Sequence, residues 1–229
     1  MKILASDFDD TLYFLNDSNI NKKNIESIRK FMALGNIFCI VTGRNYIDLK
    51  QFLIKENIPY TYLICEDGAK IFNGVDYCLD TVQLNRDEVT KIVKIIEENN
   101  WDYYLDDGYN KTENYDDCVK VVIKCSDKKE QDDIIKKIKE QIDIHIYASR
   151  FHVNIIHSSV NKEKAIKRLF NLENLDYSLL KVIGDNENDY EMLKAFDGAV
   201  IKKHHRKLDK LNKTEYVTLS DYIEELMQN

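Results

Sequence analysis

One proline and seven glycines are all that this chain of 229 residues carries of the two strongest backbone punctuators. That scarcity excludes collagen-like, linker-like and low-complexity chains. No apolar run reaches the length that spans a bilayer, and the first residues form a polar-ended strand rather than a secretory leader. The five cysteines, Cys39, Cys65, Cys78, Cys118 and Cys125, are an odd set without a C-x-x-C pair. Most lie in apolar, strand-like runs and read as reduced core residues, so a cytoplasmic protein is expected. A formal net charge of −7 argues against nucleic acid or an anionic membrane as the main partner and leaves room only for a local basic pocket.

What is present is enough apolar sequence, 44% of residues, to bury a sizeable core in one or two domains. Strand and helix patterns alternate from the start. An apolar strand opens the chain, and a helix with Ile25, Ile28, Phe31 and Met32 on one stripe follows, closed by Gly35 at C′. Ile37–Val41 reads as a central parallel strand ending in Thr42-Gly43-Arg44. A helix with Leu49, Phe52 and Leu53 leads to a strand at Tyr62–Cys65. Strands separated by single helices need right-handed crossovers, which gives an α/β, doubly wound parallel sheet.

Near residue 80 the rhythm changes to helix-strand-strand, repeated twice. A helix from Asn85, with Glu88 in capping-box position, buries Val89, Ile92, Val93 and Ile96. Strands follow at Trp101–Leu105 and Val119–Cys125. A helix from Lys128 to Gln141 carries Ile134, Ile135 and Ile138, and two more strands are expected at Ile142–Ala148 and Phe151–Ile156. This describes an α+β domain at 81–156 inserted into an α/β core made of 1–80 and 157–229. The core pattern then resumes: a helix from Asn161, a strand at Leu180–Ile183, a helix from Asn188, a strand at Ala199–Ile201 and a helix from Ser220.

Four short segments carry chemistry. The first strand delivers Asp7 and Asp9 to its carboxyl end, and in extended geometry residues two apart share a side while Asp10 points away. Taken alone, this D-x-D reads first as an inert acidic turn, but two close carboxylates repel unless a cation or a proton compensates. Thr42-Gly43-Arg44 ends another strand. Asn161 as N-cap and Lys162 at the helix start make a phosphate site, or else Lys162 is one more solvated lysine. Gly184-Asp185-Asn186-Glu187-Asn188-Asp189 places further carboxylates at a strand end. Such an oxygen-rich cluster suits Mg²⁺, or caps the next helix as an Asx-rich turn.

In this order, D-x-D, T-G-R, a helix-start lysine and G-D-x-x-N-D, the chain resembles the haloacid dehalogenase superfamily, and within it the Cof-like sugar-phosphate phosphatases with an inserted cap. The resemblance implies that Asp7 is the nucleophile forming an aspartyl-phosphate and that Asp9 is the general acid and base. It implies a Mg²⁺ site from the carboxylates of Asp7 and Asp185 and the main-chain carbonyl of Asp9, with Asp189 completing or supporting it. Thr42 and Lys162 would hold phosphoryl oxygens, with Gly43 and Arg44 as further substrate contacts. The expected partner is a small phosphorylated metabolite, handled by a monomer or homodimer. A phosphomutase would keep the same residues. A phospho-receiver also uses acidic residues, Thr, Lys and Mg²⁺, but its acceptor lies on a middle strand and no cap interrupts it. A non-catalytic regulatory protein on the same fold is the third alternative.

Three departures from the family pattern stand out. Glu163 follows Lys162 where the family has Gly, Asp67 stands where relatives commonly carry Asn, and Val200-Ile201-Lys202-Lys203-His204-His205 replaces a run like Ala-Met-x-Asn-Ala. The cap is expected to close over Asp7 and set specificity. Arg150, His152 and Asn154 near its last strand are candidates for that task or ordinary strand residues, and Asp106–Asn110 is a candidate or a plain turn.

Overall fold

The structure is a computed structural model and describes residues 1–149 and 151–228; Arg150 lies outside the described residues. The chain divides into two compact units, Met1–Arg44, Asp48–Asp80 and Asn161–Asn229 in the first, and Asn45–Ile47 with Thr81–Val160 in the second.

Apart from residues 45–47 and Thr81, which group with the second unit, the first unit runs β1 (Ile3–Ser6), α1 (Ser18–Ala33), β2 (Ile37–Val41), α2 (Tyr46–Glu56), β3 (Tyr62–Cys65), β4 (Lys70–Asn73) and β5 (Cys78–Thr81). The second unit carries α3 (Arg86–Glu98), β6 (Tyr103–Asp106), β7 (Lys111–Thr112), β8 (Lys120–Lys124), α4 (Lys128–Lys139), β9 (His145–Ser149) and β10 (His152–Ile156). The chain returns through α5 (Lys162–Glu173), β11 (Leu180–Gly184), α6 (Tyr190–Ala195), β12 (Gly198–Ile201), β13 (Thr214–Tyr216) and α7 (Leu219–Gln228).

The first sheet has the order β13-β12-β11-β1-β2-β3-β4-β5. Pairs from β13 through β3 are parallel, and β4 runs antiparallel to β3. From β1 the chain moves to β2 and β3 on one side and later to β11 and β12 on the other. The switch point therefore lies at β1 and β11, the place in such sheets where ligand sites form. Helices α5 and α6 bury Ala165, Ile166, Leu169, Phe170, Met192 and Leu193 against Ile3, Ala5, Cys39 and Val41. Helices α1 and α7 pack on each other, joined by Ser27 and Ser220 hydroxyls 2.7 Å apart and by the Ser220 amide donating to Asn24. The doubly wound α/β expectation is borne out.

Local signals explain these elements. Gly35 adopts φ 80 just past α1, and its amide reaches back to the Met32 carbonyl, the expected C′ glycine. Asn85 and Glu88 form both bonds of a capping box on α3. Met32, Phe52 and Ile135, expected on buried stripes, are only half-buried, because each sits at the flank of its stripe. Strands β4, β5, β7 and β13 are additions to the expected rhythm: each is two to four residues long, too short for a periodic pattern.

The second unit is an antiparallel sheet of order β7-β6-β8-β10-β9. One face holds Leu105, Val121, Ile123, Val153 and Ile155 against Val89, Ile92 and Ile96 of α3 and Ile134 and Ile138 of α4. None of the five cysteines is in a disulfide. Among the described residues no helix is long and apolar enough to cross a membrane.

Candidate active site

Strand β1 ends at Ser6, one residue earlier than the sequence pattern implies for its acidic pair. Asp7 continues the line of the strand, its amide donating to the Ile183 carbonyl at 3.0 Å. Beyond it the chain turns: Asp10 takes φ 58, and its amide donates to the Tyr13 carbonyl at 2.9 Å. The extended run therefore ends at Asp10, and strand geometry does not decide where Asp10 points. Asp10 is a turn-former in a left-handed conformation that Asp tolerates.

Asp7, Asp185 and Asp189 each offer a carboxylate oxygen, all within 4.8 Å of one another. Lys162 lies among them. Its Nζ is 2.5 Å from Asp7 Oδ1 and 2.6 Å from Asp189 Oδ1, with the lysine side chain 1% exposed. Asn161 places it: its side chain accepts from the Lys164 amide and starts α5 so that Lys162 turns inward. This is not a solvated lysine. Glu163, on the next position, turns away to an ion pair with Lys167.

Asp189 anchors the acidic loop. Its Oδ2 accepts from the amides of Asp185 at 3.0 Å and Asn186 at 2.9 Å, so both of its oxygens are engaged. A Cβ on Gly184 would lie 2.5 Å from Asp189 Cγ, so only glycine admits this approach. Asp185 is held from the other side by Thr11, whose buried hydroxyl donates to Oδ1 at 2.7 Å.

Burial drives the Asp7 carboxyl well above its ordinary range; Lys162 opposes that shift, and Asp189 and Asp185 add to it. Burial likewise pushes Asp185 up to about 6, against the Thr11 hydrogen bond and with help from Asp189. For Lys162 burial alone favours the neutral amine. The carboxylates of Asp189, Asp7 and Asp67 outweigh it and hold the ammonium charged. Three carboxylates thus face one ammonium, a surplus of negative charge built from hard oxygen donors. That set fits a divalent cation such as Mg²⁺.

Thr42 is buried at the end of β2, its hydroxyl accepting from the Arg44 amide at 3.2 Å and its carbonyl from the Asp67 amide at 3.0 Å. A Cβ on Gly43 would meet Asp67 Oδ2 at 2.9 Å. Arg44 forks onto Asp9, Nε to Oδ2 at 2.9 Å and Nη2 to Oδ1 at 2.5 Å, and lies over the Phe8 ring. Asp9 and Arg44 are thus brought together on the exposed side, outside the Asp7–Asp185–Asp189 group. Asp67 takes φ 54, which explains why the Asn-to-Asp departure is tolerated: both residues accept this conformation. Its Oδ1 accepts from Asn188 Nδ2 at 3.0 Å.

Thr11 and Asn188 are the residues that sequence reasoning left without roles. The signal for each was its place inside a motif, four residues after Asp7 and one before Asp189. In the second unit, buried Asn154 donates to Ser149 at 2.8 Å within its own sheet, and His152 passes its carbonyl to Gln131. Asp106–Asn110 closes as a turn on its own aspartates, Asp106 accepting from Gly108 and Asp107 from Tyr109 and Asn110.

The sequence profile of the haloacid dehalogenase-like hydrolases matches residues 4–110 and 103–220. The chain belongs to that family. Its inserted antiparallel unit and its motifs agree with the resemblance to Cof-like members. A phosphoglycolate phosphatase of Archaeoglobus fulgidus is 24% identical over 202 residues, 85% of this chain and 80% of that protein. A phosphoglycolate phosphatase of Picrophilus torridus is 35% identical over 60 residues, 26% of this chain and 25% of that protein. Among solved structures, a HAD/COF-like hydrolase from Plasmodium vivax superposes with a TM-score of 0.84 at 18% identity, covering 100% of this chain and 96% of that one. A HAD subclass IIB sugar phosphatase gives 0.77 at 16% identity, covering 100% and 98%. At such identity these two establish the fold.

Proposed function

We propose that this hydrolase is a Mg²⁺-dependent phosphatase that removes the phosphoryl group from a small phosphorylated metabolite by way of Asp7. The observation that carries the reading is the packing of Asp7, Asp185 and Asp189 oxygens within 4.8 Å around a buried Lys162. Both phosphoglycolate phosphatase relatives and the sugar phosphatase neighbour support phosphate ester hydrolysis.

Asp7 Oδ attacks phosphorus, and the ester P–O bond breaks as the aspartyl-phosphate forms. Asp9, once released from the Arg44 fork and protonated, gives that proton to the departing alkoxide. It then takes one from water as that water attacks phosphorus and releases Asp7 and phosphate. Lys162 and Thr42 hold phosphoryl oxygens, and the Lys162 charge offsets what builds up in the transition state. Arg44 keeps Asp9 at the exposed side, where an alcohol departs. Asp7 and Asp185, with the Asp9 carbonyl, would hold Mg²⁺. Asp189 supports them, since its own oxygens already serve Lys162 and two amides. When bound, the cation neutralises the carboxylate surplus and the charge of the phosphoryl group.

The test is a screen of phosphorylated metabolites for phosphate release, with Mg²⁺ and with chelator, beside Asp7→Asn. Release that needs the metal and disappears in the variant supports the reading. Wild-type rates in Asp7→Asn contradict it, and phosphate retained on a rearranged substrate assigns a phosphomutase instead.

A further inference from the structure

Lys202-Lys203-His204-His205-Arg206-Lys207 is a run of six basic or histidine residues in a chain whose net charge is −7. It leaves the carboxyl end of β12 directly. Two of the six are spent locally: His204 on Asp209 and the Ile201 carbonyl, and Lys207 on Glu187 and the Tyr190 ring. Among the described residues, Lys202, Lys203 and Arg206 have no acidic partner, and all three are exposed, as is His205.

The run is fastened to the active-site loop rather than hanging from the surface. The His205 amide donates to the Asp185 carbonyl at 2.7 Å, and the Lys202 amide to the Tyr216 carbonyl at 2.7 Å. In the strand order β12-β11-β1 the run lies two strands from Asp7, at the same end of a parallel sheet. Neighbouring strands are about 4.8 Å apart, so this offset is roughly 10 Å. Asp7, Asp185 and Asp189 make the intervening ground negative, and a second anion settles only where cations gather.

We infer that Lys202, Lys203 and Arg206 form a subsite for a second anionic group, a phosphate or a carboxylate, on the part of the substrate that leaves. This inference rests on the phosphatase reading and narrows it to esters whose second charge lies several bonds from the scissile phosphate.

The test compares hexane-1,6-diyl bisphosphate with hexyl phosphate, titrated by calorimetry in Mg²⁺ buffer into the full-length Asp7→Asn protein, which is blocked in turnover. A second protein adds Lys202→Gln, Lys203→Asn and Arg206→Gln. Asn is chosen because Lys203 sits at φ 75, where it is tolerated. The intact run is expected to favour the bisphosphate about tenfold, from three exposed charge contacts. The triple substitution is expected to erase that preference and to change hexyl phosphate affinity by less than about twofold. Equal affinities with the run intact, an equal loss for both probes, or no binding of either would overturn the subsite. If the preference appears but wild-type protein hydrolyses no ester, the phosphatase reading fails and the run stands as an anion site alone, without a leaving group to hold. If esters are hydrolysed without the preference, the reverse holds.

Discussion

Lys162 donates to Asp189 across 2.6 Å with both side chains closed off from solvent, at 1% and 0% exposure. The same ammonium serves Asp7, so a single cation holds together two carboxylates that arrive from opposite ends of the chain. Lys162→Met removes that cation and leaves buried charges uncompensated. Urea unfolding at neutral pH without metal is expected to show a loss of about 3–5 kcal/mol. Turnover is expected to fall by about 10²-fold or more. Stability equal to wild type would mean that the carboxylates do not depend on Lys162.

Asp185 supplies a pH dependence with a defined sign. Burial, first among its causes, raises it from 3.8 to about 6 in the folded protein. A carboxyl raised on folding contributes stability that is fully present below its unfolded value and is lost as pH rises through its folded value. In chelator, the melting temperature of wild type relative to Asp185→Asn should therefore rise as pH falls from about 6 to about 4. Melting curves of the two proteins that stay parallel across that window would contradict the burial of this charge.

Gly184→Ala tests the approach of Asp189 to the strand end. The new Cβ would lie 2.5 Å from Asp189 Cγ and push the carboxylate off the Asp185 and Asn186 amides. Overpacking of this kind costs about 1–3 kcal/mol. The larger effect is expected on the site: a raised Mg²⁺ requirement and a lower kcat, with the far-ultraviolet spectrum unchanged. Wild-type metal dependence would show that Asp189 does not shape the site.

Asp9 is expected to matter in proportion to how badly the leaving group needs a proton. Asp9→Asn should slow an alkyl phosphate by about 10²–10⁴-fold and p-nitrophenyl phosphate much less, because nitrophenolate departs unprotonated. Equal losses on both esters would remove Asp9 as the acid. Arg44→Ala, which frees Asp9 from its 2.5 Å partner, is expected to leave the fold intact, since exposed ion pairs contribute about 1 kcal/mol or less.

Much of this was legible in the sequence, for reasons that differ by element. Long amphipathic helices announce themselves, so Asn85 with Glu88 and the N-cap Asn161 mark α3 and α5 as the sequence pattern requires. The carboxyl-end clustering of Asp7 and Asp185 followed from parallel strands meeting at a switch point. The place of Asp10 was not legible because period two was carried into a turn whose signal, a left-handed Asp10, cannot be told from the sequence Asp-Asp. Thr11 and Asn188 act through contacts made across 174 and 121 residues, which local pattern does not encode. The short strands β4, β5, β7 and β13 are fixed by their neighbours in a sheet, not by their own residues.

The central claim is that Asp7 takes the phosphoryl group. Rapid acid quench of enzyme turning over a hydrolysed ester, followed by borohydride reduction and peptide mass spectrometry, converts an aspartyl-phosphate to homoserine at its position. The account predicts homoserine at Asp7 and none in Asp7→Asn. Steady turnover with homoserine at Asp9, Asp185 or nowhere would contradict it.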